Sequence, residues 1–164
     1  MSVAYVALGS NLQQPQVQVT QALRELAELP QTRVMQASSL YRTAPVGYDN
    51  QPDFINAVAM VETSLAPLAL LRALLALEDT HGRERPFPNA PRVLDLDLLL
   101  YDDIAMQTPE LTLPHPRMQE RGFVMLPLAE IAPELQIGTH GKASQLAAAC
   151  RDQGVERITA HESK

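Results

Sequence analysis

The chain alternates between short apolar runs and segments whose apolar residues recur every three to four positions. Short runs bounded by turn-forming residues predict strands, and the longer spacing predicts helices. In chain order the predicted elements are a strand at 3–9, a helix between Pro15 and Pro30, strands at 33–43 and 54–63, a helix from Pro67 to His81, and a strand at 93–101. This order predicts an α+β fold with a ferredoxin-like βαββαβ core, in which an antiparallel sheet carries both helices on one face.

The segment after residue 101 continues with shorter elements. The predicted pieces are a hairpin at 102–107, a turn at 112–123, a short helix at 125–133, a helix at 143–153 and a strand at 155–159. Each piece is too small to bury a core of its own, so we expect a C-terminal α/β extension of one domain that spans 1–164.

Two loops rich in turn-forming residues interrupt this pattern. The first spans 44–53, between the two middle strands, and the second spans 83–92, after the second predicted helix. The second loop contains three prolines, which exclude a regular element. We therefore expect it to be exposed and partly mobile.

The composition favours a folded protein that acts on small molecules. The formal charge of −6 argues against nucleic acid or an anionic membrane as the main partner, because both select basic surfaces. The single cysteine, Cys150, excludes an internal disulfide, the first residues lack a secretory signal, and no apolar run is long enough to span a bilayer. We therefore expect a cytoplasmic monomer.

Two aspartates, Asp95 and Asp97, interrupt the predicted strand VLDLDLLLY. Alternate residues of a strand share a face, so the two carboxylates are expected to project together, with their Cα atoms about 6 to 7 Å apart. The same alternation places Leu99 and Tyr101 on the aspartate face. The opposite face, under the helices, is predicted to carry Leu94, Leu96, Leu98 and Leu100.

Two ionised carboxylates side by side are unfavourable in a low-dielectric site unless a positive charge compensates them. An arginine could do this, and a divalent cation could do it better. Oxygen ligands without a nearby cysteine or paired histidine favour Mg²⁺ or Mn²⁺ over zinc, and carboxylates on one face can hold two metals in phosphoryl or nucleotidyl transfer. The alternative is that both aspartates are solvated on the open face of an antiparallel sheet.

Basic residues on both sides of the aspartates are suited to phosphate. Arg83, Arg85 and Arg92 can each make bidentate contacts to phosphate oxygens. His115, in a rigid turn between two prolines, can hydrogen-bond a phosphate or a leaving group. The alternatives are ordinary solubility for each arginine and a structural role for the histidine.

Phe54 and Phe123 stand beside polar residues in a chain with 4% aromatic residues. Two aromatic rings could clamp a flat heterocycle, and Asn56, on the same strand face as Phe54, would hydrogen-bond it. Both rings could equally belong to the core. The chain has no Walker A or GxGxxG motif, so any bound ATP would be held through metals and arginines.

These residues lie in blocks that resemble the 6-hydroxymethyl-7,8-dihydropterin pyrophosphokinase family. The family signature, Pro-Arg followed after two residues by Asp-apolar-Asp, is similar to PRVLDLDLLL. Further blocks in family order are ALGSNL, SSLYRTAPVG, QPDFINAV, ETSLAP, LPHPRMQERGF and PLAEIAPEL. The resemblance covers residues 3–137.

The resemblance implies transfer of the β,γ-diphosphate of ATP to the hydroxymethyl group of the pterin, with release of AMP. It implies that Asp95 and Asp97 hold two Mg²⁺ ions and act in catalysis with Arg83 and Arg92. Implied pterin contacts come from Thr43, Ala44, Pro45, Val46, Phe54, Asn56 and Phe123. Implied ATP contacts come from Glu78, Arg83, Arg85, Arg92, His115 and Arg121.

One loop departs from the family pattern. Many members carry a basic residue and a tryptophan just before a Gly-Pro-Arg, where this chain has Pro88, Asn89 and Ala90. This departure leaves two alternatives: the contact that those residues would make with ATP is made by Arg85, or the loop holds ATP more weakly.

Two other functions are compatible with carboxylates on such a sheet. A nucleotidyl transferase of the palm or cyclase type would release pyrophosphate instead of AMP. A non-catalytic pterin- or nucleotide-binding module would bind its ligand without metal-dependent turnover.

Overall fold

An antiparallel sheet forms the centre of the fold. The computed structural model describes residues 1–12, 14–44, 53–82 and 93–158. The strands in this part of the chain are β1 Ser2–Ser10, β2 Thr32–Ala37, β3 Tyr41–Thr43, β4 Phe54–Thr63, β5 Asp95–Tyr101, β6 Met106–Gln107, β7 Thr112–Leu113, β8 Gln136–Ile137, β9 Gly141–Lys142 and β10 Val155–Arg157. The helices are α1 Pro15–Leu26, α2 Pro67–Thr80, α3 Gly122–Ile131 and α4 Ala143–Ala149, with 3₁₀ turns at Met118–Glu120 and Arg151–Gln153.

The predicted ferredoxin-like fold is confirmed. Six strands of the described residues form the main sheet in the order β10-β3-β4-β1-β5, and β2 pairs with β4 beyond the end of β3. β1 pairs along its whole length with β4 and on its other side with β5. The ends of these three central strands therefore lie side by side.

The strand predicted at 33–43 is two strands, β2 and β3. Between them, the Ser38 backbone and hydroxyl bond to the Val58 backbone of β4 at 2.8 and 2.9 Å. The next residue, Ser39, turns its N–H to the Glu130 carboxylate at 2.9 Å. Because the N–H of Ser39 is used outside the sheet, strand pairing is interrupted there.

Helices cover both faces of the sheet. One core cluster packs α1 and α2 against alternate residues of the central strands. A second cluster packs α3 and α4 against the opposite face. The open face considered from the sequence is thus partly covered, and the aspartate face of β5 is the one that α3 covers.

A β-bulge changes the alternation of β5. Leu98 and Leu100 pair with consecutive residues of β1, so Leu99 is one residue more than β1 supplies. As a result Leu99 and Leu100 both join the α3 cluster, and Tyr101 joins the α1–α2 cluster. The predicted faces of Leu100 and Tyr101 were wrong, since strict alternation ends at the bulge.

The segment after β5 contains the predicted elements at shifted positions. The hairpin expected at 102–107 is formed by β6 and β7 and begins later in the chain. α3 begins at Gly122, before the predicted start at 125. β8 and β9 form a further hairpin whose strands are too short to show a period. No helix in the described part of the chain has the length and apolar character needed to cross a membrane.

The Glu130 carboxylate of α3 connects three elements. It accepts hydrogen bonds from the Ser39 backbone and hydroxyl, both at 2.9 Å, and from the Tyr41 hydroxyl at 2.8 Å. Arg157 of β10 lies 3.5 Å from the same carboxylate. Glu130 therefore holds α3 against β3 and β10.

We expect Glu130→Ala to lower the free energy of unfolding by about 2–3 kcal/mol, because it removes charged hydrogen bonds and leaves the buried Tyr41 hydroxyl without its acceptor. The control is Glu134→Ala, whose ion pair with Lys142 is largely exposed and should matter by less than about 0.5 kcal/mol. Urea denaturation measures both. Equal stability of the two variants would contradict the role of Glu130.

Tyr41 makes stability depend on alkaline pH. Burial and the hydrogen bond to Glu130 raise the pKa of the Tyr41 phenol above its usual value of 10.0. The unfolded chain ionises near pH 10 while the folded chain keeps the proton, so this contribution is complete below that pH and is lost as pH rises above it.

Tyr41→Phe should therefore be destabilised by about 1 kcal/mol at pH 7, with the difference from wild type narrowing above about pH 10. Urea denaturation between pH 7 and 11 measures this. Tyr5, whose pKa burial also raises, is present in both proteins and cancels. A difference that stays constant with pH would show that the Tyr41 proton is not involved.

Candidate active site

A cavity of about 330 Å³ lies where the central strands end beneath α3. We call it the sheet-end cavity. Its lining residues are Ala7, Leu8, Gly9, Thr43, Ala44, Phe54, Asn56, Asp95, Asp97, Arg121 and Phe123. The structure thus brings together on one cavity residues that the sequence singled out from four separate blocks.

Some predicted site residues do not line this cavity. Glu78 and His115 line a neighbouring groove instead. Others lie outside the described residues: Pro45, Val46, Arg83, Arg85, Arg92 and the departing loop residues Pro88, Asn89 and Ala90.

The two aspartates face the cavity because alternate residues of a strand share a face, and the residues opposite them on β1 are small. Asp95 pairs with Gly9 and Asp97 with Ala7 across the β1–β5 ladder. Leu96, between them, packs in the core on the other face. The predicted common orientation of the aspartates is confirmed, and the Asp97 side chain is 47% exposed toward the open space.

Asn56 forms a buried polar wall of the cavity. It is 6% exposed, and its Nδ2 donates to the Thr43 hydroxyl at 3.0 Å. A Cβ atom on Gly9 would lie only 3.0 Å from Asn56 Oδ1, so the missing side chain of Gly9 lets this amide pack against β1.

The contribution of Gly9 was missed from the sequence. The predicted strand at 3–9 ends at Gly9, whereas β1 continues through it to Ser10. A glycine inside a strand often marks a close approach of another group, and that signal could have identified this position.

Arg121 and Phe123 form the α3 side of the cavity. The Arg121 guanidinium carbon lies 5.9 Å from the centre of the Phe123 ring, which is within cation–π range. Both residues line the same cavity as the two aspartates. A cationic group and an aromatic ring therefore share this cavity with the carboxylates.

A groove of about 250 Å³ adjoins this cavity on the α2 side, and we call it the α2 groove. It is lined by Leu71, Leu75, Glu78, Leu96, Asp97, Leu98, Thr108, Pro109, Glu110, Leu111, Thr112, His115 and Pro116. Asp97 lines both spaces. A ligand in the groove and a ligand in the cavity would therefore meet at Asp97.

His115 is oriented with one ring nitrogen toward Asp97. Its Nδ1 lies 2.9 Å from the Pro116 carbonyl, which can only accept, so Nδ1 carries the proton in this contact. Its Nε2 lies 4.0 Å from Asp97 Oδ1, and its backbone N–H donates to the Leu99 carbonyl at 2.8 Å. The backbone and side-chain contacts together hold Nε2 toward the junction of groove and cavity.

Glu78 supports the aspartate strand directly. Its Oε2 accepts a hydrogen bond from the backbone N–H of Leu96 at 2.7 Å. Leu96 is the residue between Asp95 and Asp97, so this contact joins α2 to the centre of the aspartate pair. The resemblance implies a contact of Glu78 with ATP, and this bond to the strand was not predicted.

The donor set suits a magnesium ion that shares its ligands with a substrate. Asp95 and Asp97 offer carboxylate oxygens on one cavity. Within the described ranges no group of three or more His, Cys, Asp or Glu residues could enclose a metal. Mg²⁺ commonly binds one or two carboxylates together with water and substrate phosphates, whereas zinc usually requires at least three protein ligands.

Comparison with known proteins gives one consistent family. A family model described as 7,8-dihydro-6-hydroxymethylpterin-pyrophosphokinase matches residues 5–133. A protein from Pseudomonas aeruginosa named 2-amino-4-hydroxy-6-hydroxymethyldihydropteridine pyrophosphokinase is 46% identical over 154 residues, which cover 94% of this chain and 95% of that protein. A protein of the same name from Haemophilus influenzae is 46% identical over 135 residues, covering 82% and 84%.

The fold is also similar to that of solved structures. The structure of Plasmodium falciparum wild-type HPPK-DHPS with pteroate superposes with a TM-score of 0.76 at 14% identity, covering 96% of this chain and 48% of that chain. The present chain thus spans about half of that longer protein, and the likeness concerns the fold. Because the family model and both bacterial relatives match most of its length, the chain belongs to the 7,8-dihydro-6-hydroxymethylpterin-pyrophosphokinase family.

Proposed function

We propose that this chain transfers the β,γ-diphosphate of ATP to the hydroxymethyl group of 6-hydroxymethyl-7,8-dihydropterin and releases AMP, with two Mg²⁺ ions held by Asp95 and Asp97. Membership of a pyrophosphokinase family supports the reaction. The observation that carries the assignment of residues is the position of Asp97, on both the sheet-end cavity and the α2 groove.

The sheet-end cavity is suited to the pterin. Phe54 and Phe123 offer aromatic faces for a flat bicyclic ring. Thr43 orients the Asn56 amide through the 3.0 Å bond, and the amide can present both a donor and an acceptor to the mixed donor and acceptor edge of a pterin. A largely apolar cavity with a few oriented polar groups is typical of a small-molecule site.

The α2 groove is suited to the nucleoside part of ATP. Leu71 and Leu75 give it an apolar wall, and Leu75 is 45% exposed there. Thr112 supplies a hydroxyl group. A nucleoside in this groove directs its phosphates toward His115 and Asp97, at the boundary with the cavity.

The reaction needs charge neutralisation and alignment more than covalent help. The hydroxymethyl oxygen attacks the β-phosphorus, the bond from that phosphorus to the bridging oxygen of AMP breaks, and the hydroxyl proton is released. Arg121 in the cavity and His115 in the groove are suited to contact the transferred group beside the carboxylates. Mg²⁺, when bound, neutralises charge on the triphosphate and the leaving AMP.

The deciding experiment incubates the protein with ATP, Mg²⁺ and 6-hydroxymethyl-7,8-dihydropterin and identifies the nucleotide product. AMP together with a pterin diphosphate supports the proposal. Pyrophosphate release would indicate a nucleotidyl transferase. Tight pterin binding without turnover would indicate a binding module.

The proposal also includes the class of partner, the cellular compartment and the oligomeric state. The net charge of −6 supports small-molecule substrates rather than nucleic acid or a membrane. The single cysteine is consistent with the reducing cytoplasm, and we propose a monomer for the assembly.

Asp95→Ala and Asp97→Ala should each lower Mg²⁺-dependent turnover by about a thousandfold. Each removes a proposed metal ligand, and the bound metal stabilises the transition state by several kcal/mol. Circular dichroism and thermal unfolding should stay close to wild type. Asp103→Ala, an exposed aspartate just after β5, is the control and should keep full activity. A near-normal rate in either Asp95→Ala or Asp97→Ala would refute the two-metal assignment.

Gly9→Ala should weaken pterin binding by roughly tenfold and leave the affinity for ATP unchanged, because the new methyl group displaces the Asn56 amide. Isothermal titration with pterin, and separately with an ATP analogue, measures this. If Gly9 acts through Asn56, adding Gly9→Ala to Asn56→Ala should cost little more. Additive losses in the double variant would contradict this route.

A further inference from the structure

The C-terminal segment contacts the start of α3, and the proposed function assigns no role to these contacts. The family model ends at residue 133, and the segment beyond it includes α4, the 3₁₀ turn Arg151–Gln153 and β10. The Gln153 side chain reaches back from that turn to the residues that precede and begin α3.

Gln153 holds the backbone on both sides of Arg121. Its Oε1 accepts a hydrogen bond from the Gly122 N–H at 2.7 Å. Its Nε2 donates to the Glu120 carbonyl at 2.8 Å. One side-chain amide therefore bonds to peptide groups that flank Arg121, and both of its bonds are well within hydrogen-bonding distance.

Gly122 lets this contact form. A Cβ atom there would lie 3.1 Å from Gln153 Oε1 and 3.2 Å from the Cys150 carbonyl oxygen. It would also lie 3.3 Å from Val155 Cγ2. The C-terminal segment thus packs on the space that a side chain at Gly122 would need.

The bond to Gly122 also completes the start of α3. The first N–H groups of a helix have no partner inside the helix and must be satisfied from elsewhere. Gly122 is the first residue of α3, directly between Arg121 and Phe123. Gln153 satisfies this N–H from a distant part of the chain.

We propose that Gln153 is a positioning residue for the sheet-end cavity, which sets the placement of Arg121 and Phe123 by bonding to the backbone of Glu120 and Gly122. The role rests on the proposed function, since it assumes that the cavity binds the pterin. Gln153 does not line the cavity and acts through the backbone. Loss of its bonds changes how well the ring and the guanidinium meet the substrate.

The test uses the full chain with Gln153→Ala and Gln153→Glu. The glutamate variant keeps an acceptor for the Gly122 N–H but loses the donor to the Glu120 carbonyl. The matched control is Gln136→Ala, which removes another glutamine whose Nε2 donates to a backbone carbonyl, that of Gly138, at 3.0 Å. Three quantities are measured: amide hydrogen exchange at Gly122, the Kd for the pterin in the presence of an ATP analogue, and kcat/KM.

We expect Gln153→Ala to speed exchange at Gly122 and to raise the Kd for the pterin on the order of tenfold, with a matching fall in kcat/KM. Gln153→Glu should fall between this variant and wild type, and Gln136→Ala should match wild type. Unchanged pterin affinity in Gln153→Ala, with faster exchange at Gly122, would overturn the positioning role. Failure of the wild type to release AMP would instead overturn the proposed function.

Discussion

Two carboxylates at adjacent same-face positions of one strand are the constraint on which the arrangement depends. Asp95 and Asp97 repel each other unless cations lie close to both. Small residues opposite the aspartates on β1 leave space for a cation. Arg121 lines the same cavity and brings one positive charge to it. The positive charge that is still needed is what a metal ion would supply if it joined the carboxylates to a polyphosphate.

The helices on the aspartate side turn this strand end into a site. The βαββαβ core alone would leave the aspartate face open to solvent. α3 partly covers it, and Arg121 and Phe123, at the start of this helix, line the cavity. The same helix is fastened at its other end through Glu130, which bonds to Tyr41 of β3. β3 also carries Thr43, which lines the cavity. The Glu130 carboxylate therefore joins α3, on one side of the cavity, to β3, on the other.

Local pattern was sufficient for the parts of the fold that obey a simple period. The period of two placed Asp95 and Asp97 together, and the helical spacing located α1 and α2. The pattern failed after Leu99, at Leu100 and Tyr101, because a bulge depends on how β1 pairs and leaves no mark in β5 itself. It failed again at Ser39, whose backbone partner is Glu130, far away in the chain.

Some residues of the site could likewise be predicted from the sequence, and others could not. Chemically distinctive residues such as Phe54, Asn56 and Phe123 could be selected from the sequence. Gln153 could not be selected, because it acts through the backbone of distant residues. Gly9 could have been found only as a glycine inside a strand, because its contribution is an absent side chain. These contributions exist only in three dimensions.

The bulge at Leu99 has a consequence for how this strand can change. Before the bulge, β5 presents carboxylates to the cavity and leucines to the α1–α2 core; after it, the assignment of faces is reversed. The Asp102 N–H bonds to the Val3 carbonyl at the end of the strand. The number of residues between Asp97 and Asp102 therefore matters as much as which residues they are. A one-residue insertion or deletion would misplace either the acidic pair or the end of the strand, so β5 can vary by substitution but not by length.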